Sequence, residues 1–273
     1  MLRQRTLTAL LLLPVVLLII LWPPTGIFAI IAGIVFLYAL WEWTTLACVR
    51  VPAVRIAYVT FAAVLFVALW LVHTQGLWNI LIAIGVVWWV ASFFWLRNFT
   101  FAAAPNHENR MIKLGTGLLV AVPAWAAMLS IHGSLPHGHL WTVVALVIVW
   151  AADTGAYFSG RFLGKRKLAP RISPGKTWAG VAGAFVGGAL AVLLGGWLLD
   201  VRGTGPLLAL VALAVVTVTA AVIGDLFESL MKRHAEVKDS GTLIPGHGGL
   251  LDRMDSVFAA LPVFAAGLLL LGL

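Results

Sequence analysis

The sequence predicts an all-α, polytopic membrane bundle of about nine helices, and three observations carry that prediction. Of 273 residues, 62% are hydrophobic and only 10% are charged, with a mean hydropathy of +1.04. A soluble domain carries about 25% charged residues, so this chain cannot coat a water-exposed globule. The apolar residues also gather into runs near the roughly 20 residues that a spanning helix needs. Lys and Arg then fall in alternate gaps between those runs, as loops retained on the cytoplasmic side require.

The first run, Leu7 to Trp22, follows Arg3 and Arg5. That pattern also suits a secretory signal, but no small-x-small cleavage site follows it, so a retained helix is expected. Gly26 to Ala47 and Ala53 to Val72 come next, with Arg50 and Arg55 between them. Leu77 to Trp95 is followed by Arg97, Arg110 and Lys113, and then by the fifth run, Leu114 to Ile131. Leu140 to Phe158 leads into Arg161, Lys165, Arg166, Lys167, Arg171 and Lys176. Thr177 to Leu199 and Leu207 to Phe227 are the seventh and eighth runs. Lys232, Arg233, Lys238 and Arg253 separate them from the last, Ser256 to Leu273. Pro and Gly mark the breaks, as in Trp22-Pro23-Pro24-Thr25-Gly26.

Arg202 is the one basic residue left for the opposite side, which places the N-terminus in the cytoplasm. Backbone amides in lipid must be bonded within their own segment, and no alternating barrel pattern is visible, so the runs are helices. They form a single transmembrane domain, 1–273. Residues 1–113 supply helices, and 114–273 supply helices and the loops of a site. The net charge of +8 is then a topological signal with a second use in attracting anionic lipid, and nucleic acid is not an expected partner. A single cysteine, Cys48, excludes an intrachain disulfide and a cysteine-rich metal centre.

A carboxylate at mid-membrane costs about 2.5–3.5 kcal/mol on insertion scales, so each acidic residue asks for a reason. All ten except Asp200 fall in cytoplasmic loops or cytoplasmic halves of spans, which puts any polar chemistry on that face. Glu42, between Trp41 and Trp43, reads as an interfacial residue among anchoring tryptophans. Asp153 lies inside an apolar run, where it either packs against a basic neighbour or faces a water-filled cavity. His73, His132, His137 and His139 show no metal-ligand spacing and read as structural. Ser173-Pro174-Gly175-Lys176-Thr177 stands at the start of the seventh helix, where backbone amides and the helix dipole favour a phosphate. It lacks the glycine spacing of a Walker A loop.

The most informative region runs from Gly224 to Ser256. Asp225, Glu228 and Ser229 are spaced i, i+3, i+4 on one helical face, and Asp252 and Asp255 repeat the i, i+3 spacing. Two helix ends bearing carboxylates can converge on one hard cation, and oxygen donors favour Mg²⁺. Lys232, Arg233, Lys238 and Arg253 can meet phosphate oxygens, and His247 stands among three glycines that let backbone approach a ligand. Carboxylates for a metal beside cations for phosphates is what phosphoryl or nucleotidyl transfer requires.

These residues resemble a known family, the phosphatidate cytidylyltransferases. The resemblance lies in Ser229-x-x-Lys232-Arg233, then Lys238-Asp239-x-Gly241, then Pro245-x-His247-Gly248-Gly249-x-x-Asp252-Arg253-x-Asp255. Asp153-x-Gly155-x-Tyr157 and Ser173-Pro174-x-Lys176-Thr177-Trp178 are similar to the family's upstream segment. Ala179 stands where many members carry glutamate, so no role is assigned to it. The resemblance implies conversion of CTP and phosphatidic acid to CDP-diacylglycerol and pyrophosphate, with Mg²⁺ required. Whether a monovalent cation joins it is left open by the sequence.

On that reading Asp225 and Asp252 are the expected metal ligands, with Asp255 and Asp153 beside them. Lys176, Lys238, Arg253 and His247 join Asp225 and Asp252 as expected catalytic residues. Substrate contacts are expected from Ser173, Lys176, Thr177 and Lys232, and from Arg233, Lys238, Asp239, Gly248 and Gly249. Gly180, Gly183, Gly187 and Gly188 suit close helix packing inside the chain, whereas the resemblance suggests a homodimer. The expected setting is the inner membrane of a bacterium, with the site facing the cytoplasm. A CTP-dependent lipid kinase acting on a polyprenol-type alcohol is the alternative. A transporter would show inverted repeats, and none is found.

Overall fold

The computed structural model describes residues 13–243 and 248–273, so Arg3, Arg5, His247 and the start of the first apolar run lie outside the described residues. Helix α1 covers 13–21 of them. It is followed by α2 (Thr25–Leu46), α3 (Pro52–Leu71), α4 (Gln75–Arg97), α5 (His107–Gly133) and α6 (Gly138–Leu163). The strands β1 (Lys167–Ala169) and β2 (Ser173–Thr177) precede α7 (Trp178–Leu198), α8 (Thr204–His234) and α9 (Leu251–Leu271). From α2 to α9, 8 helices are long and apolar enough to cross a membrane, one for each predicted run after the first.

Two helices outrun their apolar segments. Helix α5 starts at His107, where the Asn106 side chain accepts the Asn109 N–H at 2.8 Å, and α8 continues to His234. Hydropathy marks where lipid ends, whereas backbone hydrogen bonding continues through good helix formers such as Glu228, Met231 and Lys232.

The short hairpin departs from the all-helical expectation. Strands β1 and β2 pair antiparallel, with Lys167 opposite Thr177 and Ala169 opposite Ser173. Ser173 to Lys176 therefore belong to a strand that delivers the chain to α7 and do not form the first turn of that helix. Thr177 is the N-cap, its Oγ1 accepting the Gly180 N–H at 3.1 Å. Pro174 and Gly175 disfavour helix at this point, and a two-stranded ribbon satisfies the backbone instead.

Burial sorts the bundle into a centre and a rim. In α5, 78% of the most apolar stretch is buried, against 11% in α3, so α5 is the core and α3 an outer, lipid-facing helix. Apolar side chains exposed on the rim, such as Ile34, Val64 and Leu190, are in place against lipid tails. Phe227 of α8 is buried among Trp43 of α2 and Trp88, Trp89 and Trp95 of α4. That aromatic cage fixes the rotation of α8, and with it the direction of Asp225 and Glu228 on either side of Phe227.

Helices α6 and α7 meet backbone to backbone. A methyl group at Gly183 would collide with Ser159 Oγ and the Gly155 carbonyl, and one at Gly187 with the Ala151 carbonyl. These glycines, together with Gly180 against Ala156, serve internal packing, while Gly188 faces Val218 of α8. Gly183→Leu is expected to destabilise the bundle by about 3 kcal/mol, the upper end of ordinary overpacking costs, because backbone must move. Thermal unfolding in detergent measures it.

Candidate active site

Between α6, α7, α8 and the hairpin lies a cavity of about 410 Å³. Much of its lining is apolar, from Val181 and Ala184 of α7 and Val218, Ala221 and Val222 of α8. Asp153 and Arg161 of α6, Lys176 of β2 and Asp225 of α8 line it as well. Asp153, Tyr157 and Arg161 stand at i, i+4, i+8, one face of α6. Arg161 donates to the Tyr157 hydroxyl at 2.7 Å and lies over its ring. Arg161 is absent from the predicted site residues, although that spacing from Asp153 was available to reveal it.

The carboxylates gather here from three helices. Asp225 forms an ion pair with Lys176, and the Ser229 hydroxyl reaches its Oδ1 at 3.5 Å. Asp153 lies close enough to Asp225 for mutual repulsion, and Lys176 and Arg253 attract it. Asp255 of α9 is repelled by both Asp225 and Glu228. The α8 and α9 backbones make this possible by crossing closely, with the Asp255 carbonyl against Gly224. Folding thus holds Asp225 against two carboxylates that each repel it, and such an arrangement favours a bound cation.

Asp252 has a different set of partners. Its Oδ1 accepts from Lys232 Nζ at 2.8 Å, and its Oδ2 accepts from the Gly249 N–H at 2.8 Å and the Ser240 N–H at 2.9 Å. It therefore closes the neck of the loop between α8 and α9. Lys232 also pairs with Glu228 at 2.6 Å, one turn back on α8, so this cation is shared by two carboxylates. Arg233 donates its Nε–H to the Ile172 carbonyl at 3.1 Å and ties α8 to the hairpin.

Ser173 is half-buried in β2, whereas Lys238 and Asp239 are exposed on the loop. Gly248 packs close to Asp239 and has φ +83°, a left-handed conformation that suits glycine, and Gly249 is buried.

Glu42 corrects the interfacial expectation. It is only 3% exposed, and its Oε2 accepts the Leu251 N–H at 2.7 Å and the Ser240 hydroxyl at 3.2 Å. The end of α2 is covered by the loop and by the start of α9, so neither Glu42 nor Trp43 reaches an interface. The insertion-cost argument applied to Asp153 was the signal available for it.

Hard oxygen donors from Asp153, Asp225 and Asp255 suit Mg²⁺ in kind. Among the described residues no group of three His, Cys, Asp or Glu is drawn tight enough to hold a metal alone.

A helical membrane bundle whose cavity is lined by carboxylates and cations beside apolar side chains fits an integral-membrane transferase for phosphate-bearing substrates. More particularly, the chain belongs to the Cytidylyltransferase family, which it matches over residues 3–271. It is 41% identical to the phosphatidate cytidylyltransferase of Pseudomonas aeruginosa over 267 residues, covering 97% of this chain and 96% of that one. The Haemophilus influenzae phosphatidate cytidylyltransferase is 36% identical, with 97% and 98% covered. The one from Staphylococcus haemolyticus is 31% identical, with 96% of each covered.

Proposed function

We propose that this chain transfers the CMP group of CTP to the phosphate of phosphatidic acid, giving CDP-diacylglycerol and pyrophosphate. The observation that carries the reading is the mixed lining of the cavity, with the charged Asp153, Lys176 and Asp225 beside the apolar Val181, Val218 and Val222. A lipid phosphate at the charged side chains leaves its acyl chains beside the apolar ones.

An oxygen of the lipid phosphate attacks the α-phosphorus of CTP while the bond from that phosphorus to the bridging oxygen breaks and pyrophosphate leaves. A phosphate monoester has its second pKa near about 6, so it attacks without a dedicated base. The protein's work is alignment and charge compensation. Lys176 and Arg161 face the cavity and hold phosphate oxygens, and Lys238 and Arg253 approach from the loop and the first turn of α9. Asp225, with Asp153 and Asp255, would hold Mg²⁺. When bound, that ion supplies charge neutralisation at the triphosphate and the leaving pyrophosphate. Asp252, Lys232 and Arg233 keep the α8 end, the loop and the hairpin in register around it.

The reading includes a cytoplasmic site and N-terminus in a bacterial inner membrane, supported by the alternation of basic loops, and a homodimer. Cysteine accessibility in intact cells and crosslinking in membranes test these.

The deciding assay uses detergent-purified protein, phosphatidic acid and CTP labelled in the cytosine ring. Label is expected in the lipid phase with equimolar pyrophosphate. Chelation should remove turnover and added Mg²⁺ should restore it. Phosphorylated lipid and CDP, with no label in lipid, would overturn the reading in favour of a lipid kinase.

A further inference from the structure

The loop between α8 and α9 has two carboxylates at its neck, and they come from opposite ends of the chain. Asp252 takes the Ser240 and Gly249 amides, and Glu42 takes the Ser240 hydroxyl and the Leu251 amide. Ser240 is the shared node, donating its N–H to one carboxylate and its O–H to the other. Leu251 begins α9, so Glu42 accepts one of the amides that a helix N-terminus leaves without an intrahelical partner, where a negative charge is also favoured by the helix dipole.

The fit around Glu42 is close. A methyl group at Gly241 would collide with its Oε1, and one at Gly249 would fall on Ser240 Oγ and crowd Glu42 Oε2. Two glycines of the loop are thus required by a side chain some two hundred residues earlier. Glu42 itself is rigidly mounted. The neighbouring Trp43 donates its indole N–H to the Lys113 carbonyl at 2.7 Å and stacks against Phe227. Phe36, lower on α2, packs edge-on to Phe258 of α9 at 5.0 Å.

We propose that Glu42 is a positioning residue, which sets the loop bearing Lys238 and Asp239 and the first turn of α9 bearing Arg253 for the nucleotide phosphates. The inference rests on the proposed cytidylyl transfer for its kinetic consequence, but its structural content stands on the clamp. Glu42 does not line the cavity. It acts through Ser240, Gly241, Gly249 and Leu251, and it couples the N-terminal helices to a loop that the sequence motifs treat as self-contained.

The test combines kinetics with hydrogen exchange on the full-length protein in detergent. Glu42→Ala is expected to raise KM for CTP about tenfold, the scale of one lost hydrogen bond to a charged group, with KM for phosphatidic acid unchanged. Exchange should quicken in peptides covering 238–251 and stay unchanged in α5 and α7. Glu42→Gln keeps an acceptor oxygen and should fall between the two. Ser240→Ala should move the same KM, and the Glu42→Ala/Ser240→Ala pair should be no worse than Glu42→Ala alone.

If Glu42→Ala does not fold, Glu42→Gln and Ser240→Ala decide. Unchanged KM for CTP in folded variants overturns the proposal, as does faster exchange spread evenly through the bundle. Exchange requires no substrate, so a wild-type protein that makes no CMP-bearing lipid would sink the proposed reaction while leaving the clamp itself measurable.

Discussion

Asp225→Ala is expected to lower turnover roughly a thousandfold while the protein stays folded, and raising Mg²⁺ should not restore it. The two halves of that expectation have separate causes. Asp225 lines the cavity with its side chain 32% exposed and paired to Lys176, itself 23% exposed. Both side chains are partly buried and the Lys176 Nζ atom is covered, so stranding that ammonium should lower stability by about 1–3 kcal/mol, a downward shift in thermal unfolding that leaves the protein folded. Its chemical contribution is larger because Asp225 is the point that Asp153 and Asp255 both face.

Without Asp225, Asp153 and Asp255 each lose the carboxylate that repels them, and Lys176 loses its counter-ion. The site then has a weaker claim on a divalent cation and a cation with no fixed direction. Asp225→Asn keeps the volume and should lose nearly as much activity, because charge is the property in use. Near-normal turnover in either variant, or recovery at high Mg²⁺, would remove Asp225 from the centre of the site.

What could be read from the sequence divides by the range of the interaction. Each span from α2 to α9 was legible because lipid solvation acts residue by residue, and a run of apolar side chains is its local record. The i, i+4 spacing of Glu228 and Lys232 is equally local, although the sequence alone assigns Lys232 to phosphate and does not pair the two. The hairpin was not legible, since Lys167 to Thr177 is short, polar and broken by Pro170 and Pro174, and its pairing depends on the α6 end and Arg233. Asp252 shows the limit most clearly. Its spacing from Asp255 suggested a shared cation, but gave no sign that its oxygens also accept from the Gly249 and Ser240 amides and from Lys232. Helical spacing reports which side chains share a face and says nothing of backbone amides that a loop folds back onto them. The insertion cost marks Glu42 as a residue in need of partners, but the partners lay beyond reach, because Ser240 and Leu251 become its neighbours only when α2 packs beside the α8 and α9 ends.

Lys232→Ala is expected to have the largest effect on stability, about 3–5 kcal/mol. The Lys232 side chain is 16% exposed, and it lies between Glu228 at 3% and Asp252 at 5%. Removing the cation strands two desolvated carboxylates, which is far more costly than the net contribution of the intact group. The Asp252 end of the pair also closes the loop neck, so loss of Lys232 should loosen Ser240 and Gly249 together. Glu228→Gln provides the contrast. It removes one of the two negative charges around a single lysine and leaves the Lys232 to Asp252 pair neutral, so it should be tolerated with little loss. In the Glu228→Gln background, Lys232→Ala should cost measurably less than it does alone, because one stranded charge is gone. Thermal unfolding of the four proteins in detergent gives that cycle. If Lys232→Ala instead unfolds like the wild type and only raises KM for CTP, the lysine holds substrate phosphate and the pairing with Glu228 and Asp252 is incidental.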